Sequence, residues 1–138
     1  MSKRIAAALV LALAAATPLH AQTPAPPGAK VFFIEPKDGA EITGPVTVKM
    51  GVSGLEVLPA GTEKPGSGHH HILVNTKLAD YKAPIPADEK HIHFGKGQTE
   101  AKLELKPGKH TLQLVVGDHN HAPHAPPIES QVITITVK

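Results

Sequence analysis

The sequence predicts an all-β fold, an antiparallel sandwich of six to seven short strands, and three observations predict it. Apolar residues alternate with polar ones in several short runs, which is the period of a strand with one buried face. Glycine, proline and Asp-Gly chemistry separates those runs at short intervals. No stretch beyond residue 21 carries the period of an amphipathic helix.

Taken in order, Lys3 and Arg4 precede an apolar run from Ile5 to Ala16, and Leu19-His20-Ala21 ends in a small residue. That is the pattern of a secretory signal peptide over 1–21, cut before Gln22, and the run is too short to span a bilayer comfortably. Residues 22–29, with Pro24, Pro26 and Pro27, read as an extended, mobile leader,. The β-sandwich domain is expected over 30–138. Its first strand is Val31-Phe32-Phe33-Ile34, closed by Glu35-Pro36 and an Asp38-Gly39 turn,. Pro45 to Val52 sets Val46, Val48 and Met50 on one face against Thr47 and Lys49. Residues 54–68 and 76–90 are rich in glycine, proline and charge and read as surface loops, with the strand His69 to Asn75 between them. Thr99 to Leu105 and His110 to Gly117 alternate again, the second with Leu112, Leu114 and Val116 in phase. Val132 to Val137 closes the chain. This count of strands in just over 100 residues fits an immunoglobulin-like (Greek-key) sandwich, a small Greek-key barrel being the alternative,.

Composition removes several functions. The formal charge of +2 resides in Lys3 and Arg4, so the chain beyond the signal has 12 Lys against 12 acidic residues and no Arg. A nucleic-acid binder normally shows a basic stripe and Arg is the usual base reader, so the composition argues against that class. Cysteine is absent, which rules out disulfides, thiolate zinc sites, iron-sulfur clusters and cysteine-ligated copper,. No second long apolar run suggests stable membrane insertion. A periplasmic or secreted location is expected.

What remains for chemistry is imidazole. Nine of the ten histidines lie beyond residue 21, and seven of them fall in three groups: His69 and His71, His91 and His93, and His119, His121 and His124. Each group contains a pair two residues apart. In an extended chain such a pair shares a face, with roots about 7 Å apart, so both rings can reach one ion at roughly 2.0–2.1 Å. These seven are the candidate metal ligands. His70 falls in phase with Ile72 and Val74, which predicts an inward ring with a structural hydrogen bond. His110 follows the phase of Leu112 and also reads as structural. Asp118 is a ligand, an acceptor that fixes an imidazole, or a turn cap.

Four stretches carry a resemblance: Gly68-His69-His70-His71; His91-Ile92-His93-Phe94-Gly95-Lys96-Gly97-Gln98-Thr99-Glu100; Leu105-Lys106-Pro107-Gly108-Lys109-His110-Thr111-Leu112-Gln113-Leu114; and Asp118-His119-Asn120-His121-Ala122-Pro123-His124-Ala125-Pro126-Pro127. Over 66–137 the chain resembles the secreted bacterial family catalogued as domain of unknown function 4399. The resemblance implies a periplasmic domain and leaves the chemistry to the residues.

A nitrogen-rich, sulfur-free donor set suits copper or zinc, a tetrahedral arrangement favouring zinc and a planar one copper(II). The expected function is a periplasmic, histidine-rich metal-binding protein that stores, buffers or delivers copper or zinc. Two alternatives stand beside it. One is a metal-free binding module whose histidines charge together in mild acid. The other is a copper-dependent redox enzyme resembling superoxide dismutase, which this chain would have to be without an Arg to steer an anion. A histidine-brace oxidase would need a cut before His20, where Leu19 is a poor cleavage residue.

Overall fold

Alternation builds two sheets in the computed structural model of the chain. The structure describes Ala8 and residues 21–138, so the expected signal peptide falls almost wholly outside the described residues. The strands are β1 (Lys30–Glu35), β2 (Glu41–Ile42), β3 (Val46–Ser53), β4 (Glu56–Val57), β5 (Ser67–Val74), β6 (His91–His93), β7 (Glu100–Leu103), β8 (Gly108–Gly117) and β9 (Ile133–Val137). One sheet has the order β1-β3-β7. The other runs β2-β9-β8-β5-β4, with β6 also paired to β5. The long pairings are antiparallel, as the sequence predicts, while the two-residue pairings of β2 with β9 and β4 with β5 run parallel.

The two sheets close on one core, to which β3 contributes Val46, Val48 and Met50 and β8 contributes Leu112, Leu114 and Val116. This is the expected immunoglobulin-like β-sandwich. Each such aliphatic side chain taken from water stabilises the fold by about 1.5–3 kcal/mol. In β3 the other face stays half-exposed at Thr47 and Lys49, the pattern its alternation predicts. At Gly51 the Phe32 ring lies across the strand where a Cβ would stand, so a larger residue there would push that half-exposed ring aside.

β5 and β8 depart from that pattern. All eight residues of β5 are buried, and so are Gln113 and Val115 on the face of β8 turned away from the core. A second apolar cluster explains this: Leu73 and Val115 on the outer face of the sheet are covered by Leu78, Ile85 and Tyr81. Residues 76–90 are the expected surface connection, mostly exposed, and they also lay Leu78, Tyr81 and Ile85 over the sheet as a roof. The leader, expected to be extended and mobile, is hydrogen-bonded to the sandwich in the structure. Ala25 N donates to Ala125 O at 3.0 Å and Ala125 N to Thr23 O at 2.9 Å, which ties the leader to the segment after β8. Among the described residues no helix is long and apolar enough to cross a membrane.

Candidate metal centre

Strand alternation assigns the three consecutive histidines of β5 to different faces. His70 turns inward with Ile72 and Val74, whereas His69 and His71 point outward on the face of Leu73, the residue that the roof covers. Antiparallel register then brings β6 alongside, with His93 opposite His71. On the other side Gly117 of β8 stands opposite His69, and the turn that follows β8 swings His121 back over the sheet.

Four rings meet there. Ring centroids are 4.7 Å apart for His69 and His71, 5.0 Å for His69 and His93, and 5.0 Å for His69 and His121. The remaining separations are 5.1 Å for His71 and His93, 6.1 Å for His71 and His121, and 4.7 Å for His93 and His121. His69, His71 and His93 each offer a ring nitrogen within 4.8 Å of the others, whereas His121 packs its ring against theirs without joining that donor group. The Nε2 atoms of His69 and His71 are 2.9 Å apart, sharing one proton as donor and acceptor. That spacing is close to the roughly 3.3 Å expected between two nitrogens bound tetrahedrally to one ion at the zinc distance. Among the described residues, nothing hydrogen-bonds to buried His71 Nδ1 or His93 Nε2. Buried polar atoms of this kind are costly and rare unless something pairs with them.

Proximity and burial oppose charge on these rings. His69 is pushed from 6.5 down to about 4, chiefly by burial, then by repulsion from His121 and His93, with Asp118 pulling the other way. His71 is pushed to about 2 by burial and then by His69, His93 and His121. His93 is lowered by burial and by His121. Neutral imidazole is the metal-ligating form, so these shifts keep the donors ready.

Room for the rings comes from missing side chains. A Cβ on Gly117 would lie 2.7 Å from His71 Nε2, and one on Gly95 would collide with the His93 ring. Glycine inside or beside a strand commonly marks such a close approach. His121 adopts a left-handed φ of 64°, which histidine tolerates better than most residues,. Asp118 builds the turn that imposes it. Its carboxylate accepts from Asn120 N at 2.8 Å, Ala122 N at 3.0 Å and Thr23 Oγ1 at 2.7 Å, and the His121 amide donates to Asp118 O at 2.9 Å. Ile85 N, from the roof, donates to His121 O at 2.7 Å. Burial would raise the Asp118 carboxyl, but the Thr23, Ala122 and Asn120 hydrogen bonds and His119 hold it below the ordinary carboxylate range. Of the roles open to it, Asp118 takes that of turn cap.

Of the seven candidates, the structure brings together His69, His71, His93 and His121. His91, His119 and His124 stand apart from them. His91 shares the outer face of β6 with His93 but pairs with Leu73, one step further along, and its Nδ1 is 2.7 Å from Asp88 Oδ1. His119 is turned towards Glu63, its Nε2 3.9 Å from Glu63 Oε1. His124 is buried with its Nε2 3.2 Å from Ser67 O. His110 is structural as expected, between Asn75 Nδ2 at 2.9 Å and Lys106 O at 2.6 Å. His70 corrects the expectation: it is inward, but among the described residues neither ring nitrogen has a hydrogen-bond partner, because the sandwich core around it is apolar. Gly95, Gly117 and Thr23 were not foreseen. The two glycines beside histidine-bearing strands were the signal available for the first two, and Thr23 has none.

Fold and site together define a class: an immunoglobulin-like sandwich with a histidine cluster roofed on the outer face of its larger sheet. Residues 48–138 match the family described as Domain of unknown function (DUF4399), and the chain belongs to that family. No curated protein matches the sequence. Among solved structures the chain is similar to one titled "Structures of Clostridium thermocellum CbhA fibronectin(III)-like modules", at 12% identity and a TM-score of 0.40, over 78% of this chain and 92% of that one.

Proposed function

We propose that the protein binds one divalent transition-metal ion between His69, His71, His93 and His121, that zinc is the preferred ion, and that the protein holds or hands on the ion outside the cytoplasm. The observation that supports this reading is the set of ring separations. Four points at the corners of a square have two diagonals longer than the sides by the square root of two. Here only the His71–His121 separation, 6.1 Å, stands clear of the others, and the separation opposite it, His69–His93, is 5.0 Å. The four ring centroids are thus arranged closer to a tetrahedron than to a square, and a tetrahedral approach of the rings suits zinc better than the planar field preferred by copper(II).

His69, His71 and His93 converge as donors, and His121, with its ring 4.7 Å from that of His93, would complete a four-donor set by turning a nitrogen inward, which favours holding over catalysis,. Half-exposed His93 and His121, against fully buried His69 and His71, give the ion a side from which to arrive and leave. The mild-acid sensor is less well supported, since burial pushes His69 and His71 well below the range in which such a sensor would charge. The test is titration of metal-free, untagged protein with zinc and with copper, combined with elemental analysis of protein purified without added metal. One equivalent of zinc, bound more tightly than at a His69→Ala variant, is the expected result. Absence of binding, or binding unchanged in that variant, overturns the reading.

A further inference from the structure

We propose that the leader is a latch on this cation site: docking of residues 22–25 holds, through Thr23 and Asp118, the turn that carries His121, so that leader docking and metal affinity rise and fall together. The inference rests on the zinc reading and adds a means of regulating the same site. It starts from an asymmetry among the ligands. His69, His71 and His93 are fixed by the ladders of β5 with β8 and β6. His121 has no ladder. It sits on a turn, in a left-handed conformation that a non-glycine residue keeps only when its surroundings impose it,.

Those surroundings converge on Asp118, which is 5% exposed. One carboxylate oxygen takes the Asn120 and Ala122 amides and so sets the turn; the other is held by the Thr23 hydroxyl across 95 positions of sequence. The leader is anchored on both sides of that hydroxyl. Gln22 Nε2 donates to Tyr81 O at 2.8 Å, in the roof, and Ala25 N pairs with Ala125 O. The leader thus ties the turn to the roof, and the roof holds the His121 carbonyl through Ile85.

Charge adds a second reason. Four neutral imidazoles leave a divalent ion's charge uncompensated in a buried place, and the Asp118 carboxylate lies near enough to act on His69,. Leader docking orients and desolvates that carboxylate. When the leader leaves, Asp118 Oδ2 turns to water and the turn loosens, which lowers affinity. Reciprocity requires the converse, that a bound ion tightens the leader by the same factor.

The experiment uses the full domain with its leader, in wild-type, Thr23→Val and Thr23→Ser forms. Zinc affinity is read by competition with a chromophoric chelator, cobalt(II) absorption reports coordination number, and hydrogen exchange is followed at the Ala25 and Ala125 amides with and without zinc. Partners that orient metal ligands typically contribute 10–100-fold in affinity, and Thr23 acts at one remove. Thr23→Val is therefore expected to bind zinc about tenfold more weakly, with Thr23→Ser restoring it and the cobalt spectrum staying four-coordinate. Zinc should slow exchange at Ala25 and Ala125 in the wild type by a similar factor and have little effect there in Thr23→Val. Equal affinity of wild type and Thr23→Val, or leader exchange indifferent to zinc, overturns the latch alone. A wild type that binds no zinc overturns the metal reading and the latch with it.

Discussion

His70 and its neighbours His69 and His71 occupy the same strand, are equally buried, and have opposite fates. On the inner face, His70 meets the aliphatic core and both its nitrogens stay unpaired. On the outer face, His69 and His71 meet two more imidazoles and a hydrogen bond of their own. Burial alone therefore does not define the site. What distinguishes the outer pair is convergence: β6, the turn after β8 and the roof all deliver groups to that face, and nothing comparable reaches the inner one.

The sharpest way to break this comparison is to remove a ring from each face in turn. His71→Ala should weaken zinc binding by more than about 100-fold, since a ligand is lost rather than misplaced, whereas His70→Leu should leave it within about threefold. Chelator competition on both variants checks this, and equal losses would show that the faces are not functionally distinct. Next in size is the effect of the ion on stability. At a free zinc concentration about 100 times Kd, binding should raise the unfolding free energy by about 2.7 kcal/mol. Urea titrations should find that gain in wild type and His70→Leu and lose it in His71→Ala.

Acid should sharpen the contrast further. In the metal-free protein, His69 and His70 both fall from 6.5 to about 4 on folding, so the unfolded chain binds protons that the folded chain refuses,. Their contribution is whole above pH 6.5 and is lost as pH falls towards 4, with His71 extending the loss lower still. Unfolding followed from pH 7.5 to 4 should show this decline. With zinc bound, the outer rings of the folded protein take no protons in that range while those of the unfolded chain still do, so the decline should be at least as steep and extend to lower pH,.

The smallest effect concerns His70 alone. An unsatisfied buried polar group costs about 1–3 kcal/mol, so His70→Leu should stabilise the metal-free protein by an amount in that range, read as a higher urea midpoint. A destabilised variant would mean that the ring fills its space better than an aliphatic side chain can.

Much of this was legible in the sequence, for a simple reason. Alternation is a property of the strand itself, so the shared face of His69 and His71, the inward turn of His70 and the core phase of Leu112, Leu114 and Val116 follow from spacing. Which later histidines join them does not. His93 joins and His91 does not because of cross-strand register, and the apolar Leu73 opposite His91 was the clue. The choice of His121 over His119 and His124 is made by a left-handed turn capped by Asp118, and turn geometry leaves little trace in spacing. The roof was hidden because Leu78 and Ile85 are scattered among prolines and charges, with no period to betray that both are buried.

The unequal anchoring of the four rings has a kinetic consequence. Ladder-held donors are released only when the sheet itself opens, an event near the top of the protein's free-energy scale, whereas a turn breathes at far smaller cost. On the zinc reading, His121 would be the first ring to let an ion go and the three ladder-held rings the last. Residence time would then be set by the opening of that turn, and the sandwich could exchange its cargo many times without ever unfolding.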